Sequence, residues 1–82
     1  MNNNALYVLS STCPTDVLPC SSVYSSLDNA KRAAEWYLDG THFEKKVYVP
    51  KTDWDDEIVV DYQYNDDLFG ACNLYILRVF IR

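Results

Sequence analysis

Apolar and polar positions along the chain follow two different periods, and the change of period divides it into elements. "ALYVL", residues 5 to 9, is short, apolar and β-prone, the pattern of a central strand buried on both faces. Residues 10 to 22 include Pro14, Pro19 and several hydroxyl side chains outside any period, which predicts a loop with room for a brief strand around Val17 and Leu18. "SSVYS" then leads into a helix over about 26 to 38. Its positions Leu27, Ala30, Ala34, Tyr37 and Leu38 recur at helical spacing and form one apolar stripe. Ser25 and Asp28 resemble a capping box at its start, and Asp39-Gly40 supplies a stop.

After the helix the period shortens to two. "KKVYV", 45 to 49, is a strand ended by Pro50, which lacks the donor a ladder needs. "EIVVDYQY", 57 to 64, puts Ile58, Val60, Tyr62 and Tyr64 on one face and Glu57, Val59, Asp61 and Gln63 on the other. "NDDLFGACN" is a turn, and "LYILRVFI", 74 to 81, is a β-branched and aromatic strand.

These elements predict an α+β domain: a mainly antiparallel sheet of four to five strands with one amphipathic helix on one face. A helix of about three turns cannot cover such a sheet, so the other face is expected to be partly exposed. That face carries either Tyr75, Leu77 and Val79 or the alternate set Ile76, Arg78 and Phe80. Trp36 lies far around the helix from the apolar stripe, so either the following loop folds over it or a partner does.

The order of elements resembles small ββαββ domains of uncharacterised function in phage and bacterial accessory proteins. "LYVLSS" followed by "VYSSLDNAKRAAEWYLDG" carries the likeness, over about the first half of the chain. The resemblance implies a compact phage-type protein of the sort that inhibits a host system by occupying a surface. It transfers no site residue and names no target.

Composition narrows the classes of function. Eighty-two residues at 49% apolar, with two Gly and three Pro, make one globular domain spanning 1–82. No apolar run reaches the roughly 20 residues of a membrane-spanning helix, and no basic region precedes the first apolar stretch, so the chain reads as cytoplasmic. Cys13, Cys20 and Cys72 are odd in number and widely spaced, which argues against a disulfide framework and leaves three thiols. The net charge of −5 disfavours direct contact with nucleic acid or anionic membrane and favours a basic partner.

Catalytic and cofactor motifs do not emerge. Gly40 and Gly70 are the only glycines, too few for a phosphate-cradling loop. "DWDDE" begins like a calcium-binding EF-hand loop but has Ile58 at the sixth position and Tyr64 at the twelfth, where Gly and Glu are needed. The lone His42 has no nucleophile at motif spacing and is expected in the loop after the helix. The chain therefore reads as a binding protein, not an enzyme, with no cofactor and no metal.

One window stands out. Residues 52 to 67 hold seven of the twelve acidic residues and not one Lys or Arg. Three readings apply to it: a solvated edge that blunts aggregation, a docking surface for a basic patch, or imitation of nucleic acid by carboxylates. Trp54 inside the window has no use in a purely solubilising segment, so its ring either folds onto the core or anchors a partner. The candidate partner-binding residues are Asp53, Trp54, Asp55, Asp56, Glu57, Asp61, Asp66 and Asp67, with Trp36 as a second candidate. The expected partner is a basic host protein, in particular a nucleic-acid-binding one, and the expected function is inhibition of a host nucleic-acid-processing or defence complex in anti-CRISPR or anti-restriction style. The alternative is a small structural or self-associating protein that pairs with another copy through the uncovered sheet face while the acids only solubilise; the sequence leaves monomer or homodimer open.

Overall fold

A computed structural model describes residues 5–12, 22–52 and 54–80. In chain order they form β1 (Ala5–Ser11), β2 (Val23–Tyr24), α1 (Leu27–Tyr37), β3 (Phe43–Val47), β4 (Glu57–Asp66) and β5 (Gly70–Phe80). The strands make one antiparallel sheet in the order β2-β1-β5-β4-β3, so the α+β architecture expected from the sequence is the one observed. The long β5, rich in β-branched and aromatic residues, takes the central position and pairs with β1 and β4 on its two sides. β1 is internal, but only Leu9 of its residues is fully buried, so it is less enclosed than its apolar run predicts.

Helix α1 packs where its stripe predicts. Ala30, Ala34 and Leu38 are buried against Leu9, Val60, Tyr62, Leu74 and Ile76. Two alanines at the contact bring the helix backbone close to the sheet, and the larger strand side chains fill the space between. The N-cap is Ser26 rather than Ser25: its Oγ accepts from the Asn29 backbone N–H at 3.1 Å. The stop is as expected, with Gly40 at φ +81, a conformation glycine reaches without a Cβ penalty.

Several strand boundaries differ from the sequence reading. The short strand before the helix is Val23–Tyr24; the expected one around Val17 and Leu18 lies outside the described residues. β3 begins at Phe43 and ends at Val47, two residues earlier than predicted at each end. β5 begins at Gly70, whose φ of +73 closes a tight turn after β4. As one edge of the sheet, β3 carries Lys45 and Lys46, charges that discourage pairing with another chain.

The largest departure is a β-bulge between Ile58 and Val60. An extra residue in one strand reverses the alternation beyond it. Val60, Tyr62 and Tyr64 therefore pair with Ile76, Leu74 and Cys72 on the helix side, while Ile58 pairs with Leu77 on the opposite face. Ile58 leaves the set to which strict alternation assigns it. Of the two sets left open in β5, Tyr75, Leu77 and Val79 lie on the face away from the helix, and Ile76 lies beneath it.

The cysteine expectation also needs correction. Cys72 is 3% exposed and disulfide-bonded, so the chain does not carry three thiols. An odd count excludes complete pairing, not a single bridge. Cys13 and Cys20 lie outside the described residues.

Candidate functional site

The site is built from a braced loop and the sheet face beside it. Between β3 and β4 residues 48–52 and 54–56 make a turn that Glu57 organises. Its carboxylate accepts from the backbone N–H groups of Lys51 and Thr52 at 3.1 Å and from Thr52 Oγ1 at 3.3 Å. Thr52 Oγ1 accepts in turn from the Asp55 N–H at 3.0 Å. Two contacts fasten the loop to β5: Arg78 donates to the Thr52 carbonyl at 2.6 Å, and Asp56 Oδ1 accepts from the Phe80 N–H at 3.0 Å. Arg78 also lies 3.5 Å from Glu57 and over the Phe80 ring.

This bracing holds Trp54 outward, with 68% of its surface exposed. The indole does not fold into the core, which removes one of the two uses the sequence left open for it. Trp36 is likewise exposed, at 73%, on the outer side of α1, so the loop after the helix does not close over it. His42 is exposed in that loop, as expected.

The acidic window is not one surface. β4 separates its ends by roughly 30 Å, at about 3.3 Å per residue. Asp55, Asp56 and Glu57 gather with Trp54 in the braced loop; Asp53 lies outside the described residues. At the far end, Asp66 accepts from the Leu68 and Phe69 N–H groups and shapes the β4–β5 turn, with Asp67 exposed beside it. Asp61 sits between, buried on the face away from the helix, and accepts from Asn73 Nδ2 at 2.9 Å. Trp36 belongs to neither end. Glu57, Asp56 and Asp66 thus perform structural hydrogen bonding that their shared charge does not reveal.

The sequence predicts one partly exposed sheet face and leaves open which set lies on it; what it does not indicate is the groove that joins this face to the loop. Among the described residues no helix and no second sheet covers the sheet face opposite α1, where Val8, Tyr75, Leu77 and Val79 are half-buried and Ile58 is exposed. A groove of about 620 Å³ runs along this face and ends at the braced loop. Tyr48 and Val49, which follow β3, form part of its wall. The signal for them was the apolar run "VYV" just before Pro50, which reads equally well as more strand.

Two carboxylates have pKa values below the usual range. For Glu57 the main cause is the Lys51 and Thr52 backbone donors, with Arg78 adding a smaller pull. For Glu35, burial pushes the value up, but hydrogen bonds from Tyr62 (2.9 Å) and Lys45 (3.3 Å) outweigh it. Burial, and then that same Glu35 contact, push the Tyr62 phenol up. A carboxylate with a lowered folded-state pKa stabilises fully above its unfolded value, and the contribution is lost as pH falls through the folded value. Stability should therefore fall on acidification below about pH 4.5. Urea titrations across the acid range should give a shallower decline for Glu57→Gln than for the wild type; superimposable curves would discard Glu57 as a contributor.

Among the described residues no three His, Cys, Asp or Glu side chains are grouped to hold a metal ion, and no helix is long and apolar enough to cross a membrane. Compared with protein-family models, with curated proteins and with solved structures, the chain finds no match.

Proposed function

We propose that this chain is a binding domain that docks on a basic surface of another protein through the loop that carries Lys51, Thr52 and residues 54–57, with Trp54 as the anchoring side chain. The observation that supports it is an exposed tryptophan on a loop whose backbone is fastened at Lys51, Thr52 and Asp55 and to β5. Aromatic anchors contribute most to an interface when little freedom is lost on binding, and a braced loop has already lost it. Asp55 and Asp56 beside Trp54 favour a partner of positive charge and speed encounter with it. In its finer form, the partner is a nucleic-acid-processing or defence complex whose basic groove the domain blocks. The net charge of −5 and the resemblance to phage accessory domains support that form.

The test is retention of proteins from candidate host lysates on immobilised wild type and Trp54→Ala at about 50 and 200 mM salt. The expected outcome is a basic protein held mainly at the lower salt and lost with Trp54→Ala, whose melting temperature stays within a few degrees of wild type because the indole is outside the core. Retention indifferent to the substitution would refute the loop as the docking element.

A second reading has its own support. The uncovered apolar face, with Leu77, Val79 and Ile58, is suited to self-association. Light scattering after size-exclusion chromatography separates the two: a stable dimer favours the second reading and a monomer the first.

A further inference from the structure

The groove on the uncovered face contains a carboxylate that the fold does not neutralise. Asp61 is only 8% exposed, and Asn73 Nδ2 donates to its Oδ1. Lys46 stands directly opposite it in the β3–β4 register, where a cross-strand ion pair is easily made. Yet the Lys46 ammonium lies over the Tyr48 ring, 5.6 Å from its centroid, and among the described residues no cation forms an ion pair with Asp61. A nearly buried carboxylate without a cation is costly, and a cation brought to it offsets that cost. Asp61 lines the groove, and so does the apolar surface of Ile58 and Leu77 and the rings of Tyr48 and Tyr75.

We infer that this groove receives one arginine side chain of the basic partner, its aliphatic stem on Ile58 and Leu77 and its guanidinium at Asp61 between the tyrosine rings. The inference rests on the reading of the chain as a binder of basic surfaces and names the chemical group recognised. Arginine fits better than lysine because its planar head stacks on aromatic faces and offers several donors to a carboxylate, whereas an ammonium is compact and strongly hydrated. The rim carries Asp56 and Glu57 against Lys51, so the entrance also favours a cation. Glu57 is committed to its loop donors, which leaves Asp61 as the carboxylate at the floor. A second copy of this chain is a poorer occupant, since two molecules of charge −5 repel.

The test is titration of the isotope-labelled protein with three blocked tripeptides, Ac-Gly-X-Gly-NH2, in which X is arginine, lysine or citrulline, followed by amide chemical shifts. Citrulline keeps the shape of arginine without its charge. The arginine peptide should shift the amides of Ile58, Asp61, Tyr75 and Leu77 with half-saturation in the low millimolar range; lysine should bind several-fold more weakly, and citrulline should give no saturable response. Asp61→Asn retains an acceptor for Asn73 and should keep the wild-type spectrum while weakening arginine binding about tenfold or more. No saturable shift by about 20 mM arginine peptide, an equal response to citrulline, or unchanged binding in Asp61→Asn would overturn the inference. A Trp54-dependent partner captured from lysate by a protein silent toward the arginine peptide would leave the docking loop standing and eliminate the groove. A saturable arginine response without any such partner would do the reverse.

Discussion

Reducing the disulfide at Cys72 is expected to lower the unfolding free energy by about 4 kcal/mol. Cys72 lies in the central strand, and both other cysteines are in the first quarter of the chain, so a bridge to either one closes a loop of about 50–60 residues. A cross-link of that span removes much of the freedom of the unfolded chain, and a domain of this size is stabilised by only about 4–12 kcal/mol in all. The reduced protein should therefore be marginal, with a melting temperature lower by about 15–30 °C. Circular dichroism scans with and without reductant measure the difference, and Cys72→Ser should reproduce it. Thiol titration of the unreduced, denatured protein should find one free thiol, and three after reduction. Three thiols before reduction, or a melting temperature insensitive to reductant, would refute the bridge. Because such bonds persist in oxidising compartments and are reduced in the cytosol, the result also bears on where the protein is stable.

The second large effect is expected at Arg78. Its guanidinium fastens the loop that carries Lys51, Thr52 and residues 54–57 to the sheet through the Thr52 carbonyl, approaches Glu57 at 3.5 Å and covers the Phe80 ring. The Arg78 side chain is 11% exposed, so the pairing is shielded from water but not sealed. Its Nε is buried without a hydrogen-bond partner among the described residues, a cost that offsets part of the gain. Arg78→Ala should destabilise the protein by about 2–3 kcal/mol, through an orphaned carbonyl, the lost ring contact and the lost packing of the methylenes. Arg78→Met restores the stem and should recover about 1 kcal/mol of it. Urea denaturation measures both. In a Trp36→Phe background, fluorescence anisotropy of Trp54 should drop with Arg78→Ala, since the loop would lose its attachment. Stability within about 0.5 kcal/mol of wild type would mean that Arg78 does not latch the loop.

Trp54 and Arg78 illustrate why the candidate site was only half legible. The sequence marks Trp54 and its acidic neighbours as unusual, and the structure holds that tryptophan outward. Nothing in "LRVFI" marks Arg78 as the residue that positions the loop, because its partners Thr52 and Glu57 are more than twenty positions away. Asp56, Glu57 and Asp66 read as free surface charge, yet each accepts backbone N–H donors. A carboxylate in solvent and one that braces a turn look the same in a string of letters. Asp61 differs in burial alone, which depends on the strands on either side of it.

What the sequence by itself determined follows from local rules. The helix, its apolar stripe, its glycine stop and the existence of three strands after it depend on periodicity and turn chemistry within a few residues. The α+β class follows, since one amphipathic helix and several strands have few ways to share a core. Tertiary structure alone decided the strand order, the bulge at Ile58 and Val60 and the disulfide at Cys72. It also decided which face of β5 is left uncovered. Each of these depends on pairing between distant segments, and a one-residue shift in register moves every later side chain to the other face. Ile58 therefore lines a groove beside Asp61 instead of joining Val60 in the core, a difference that no periodicity in the chain announces.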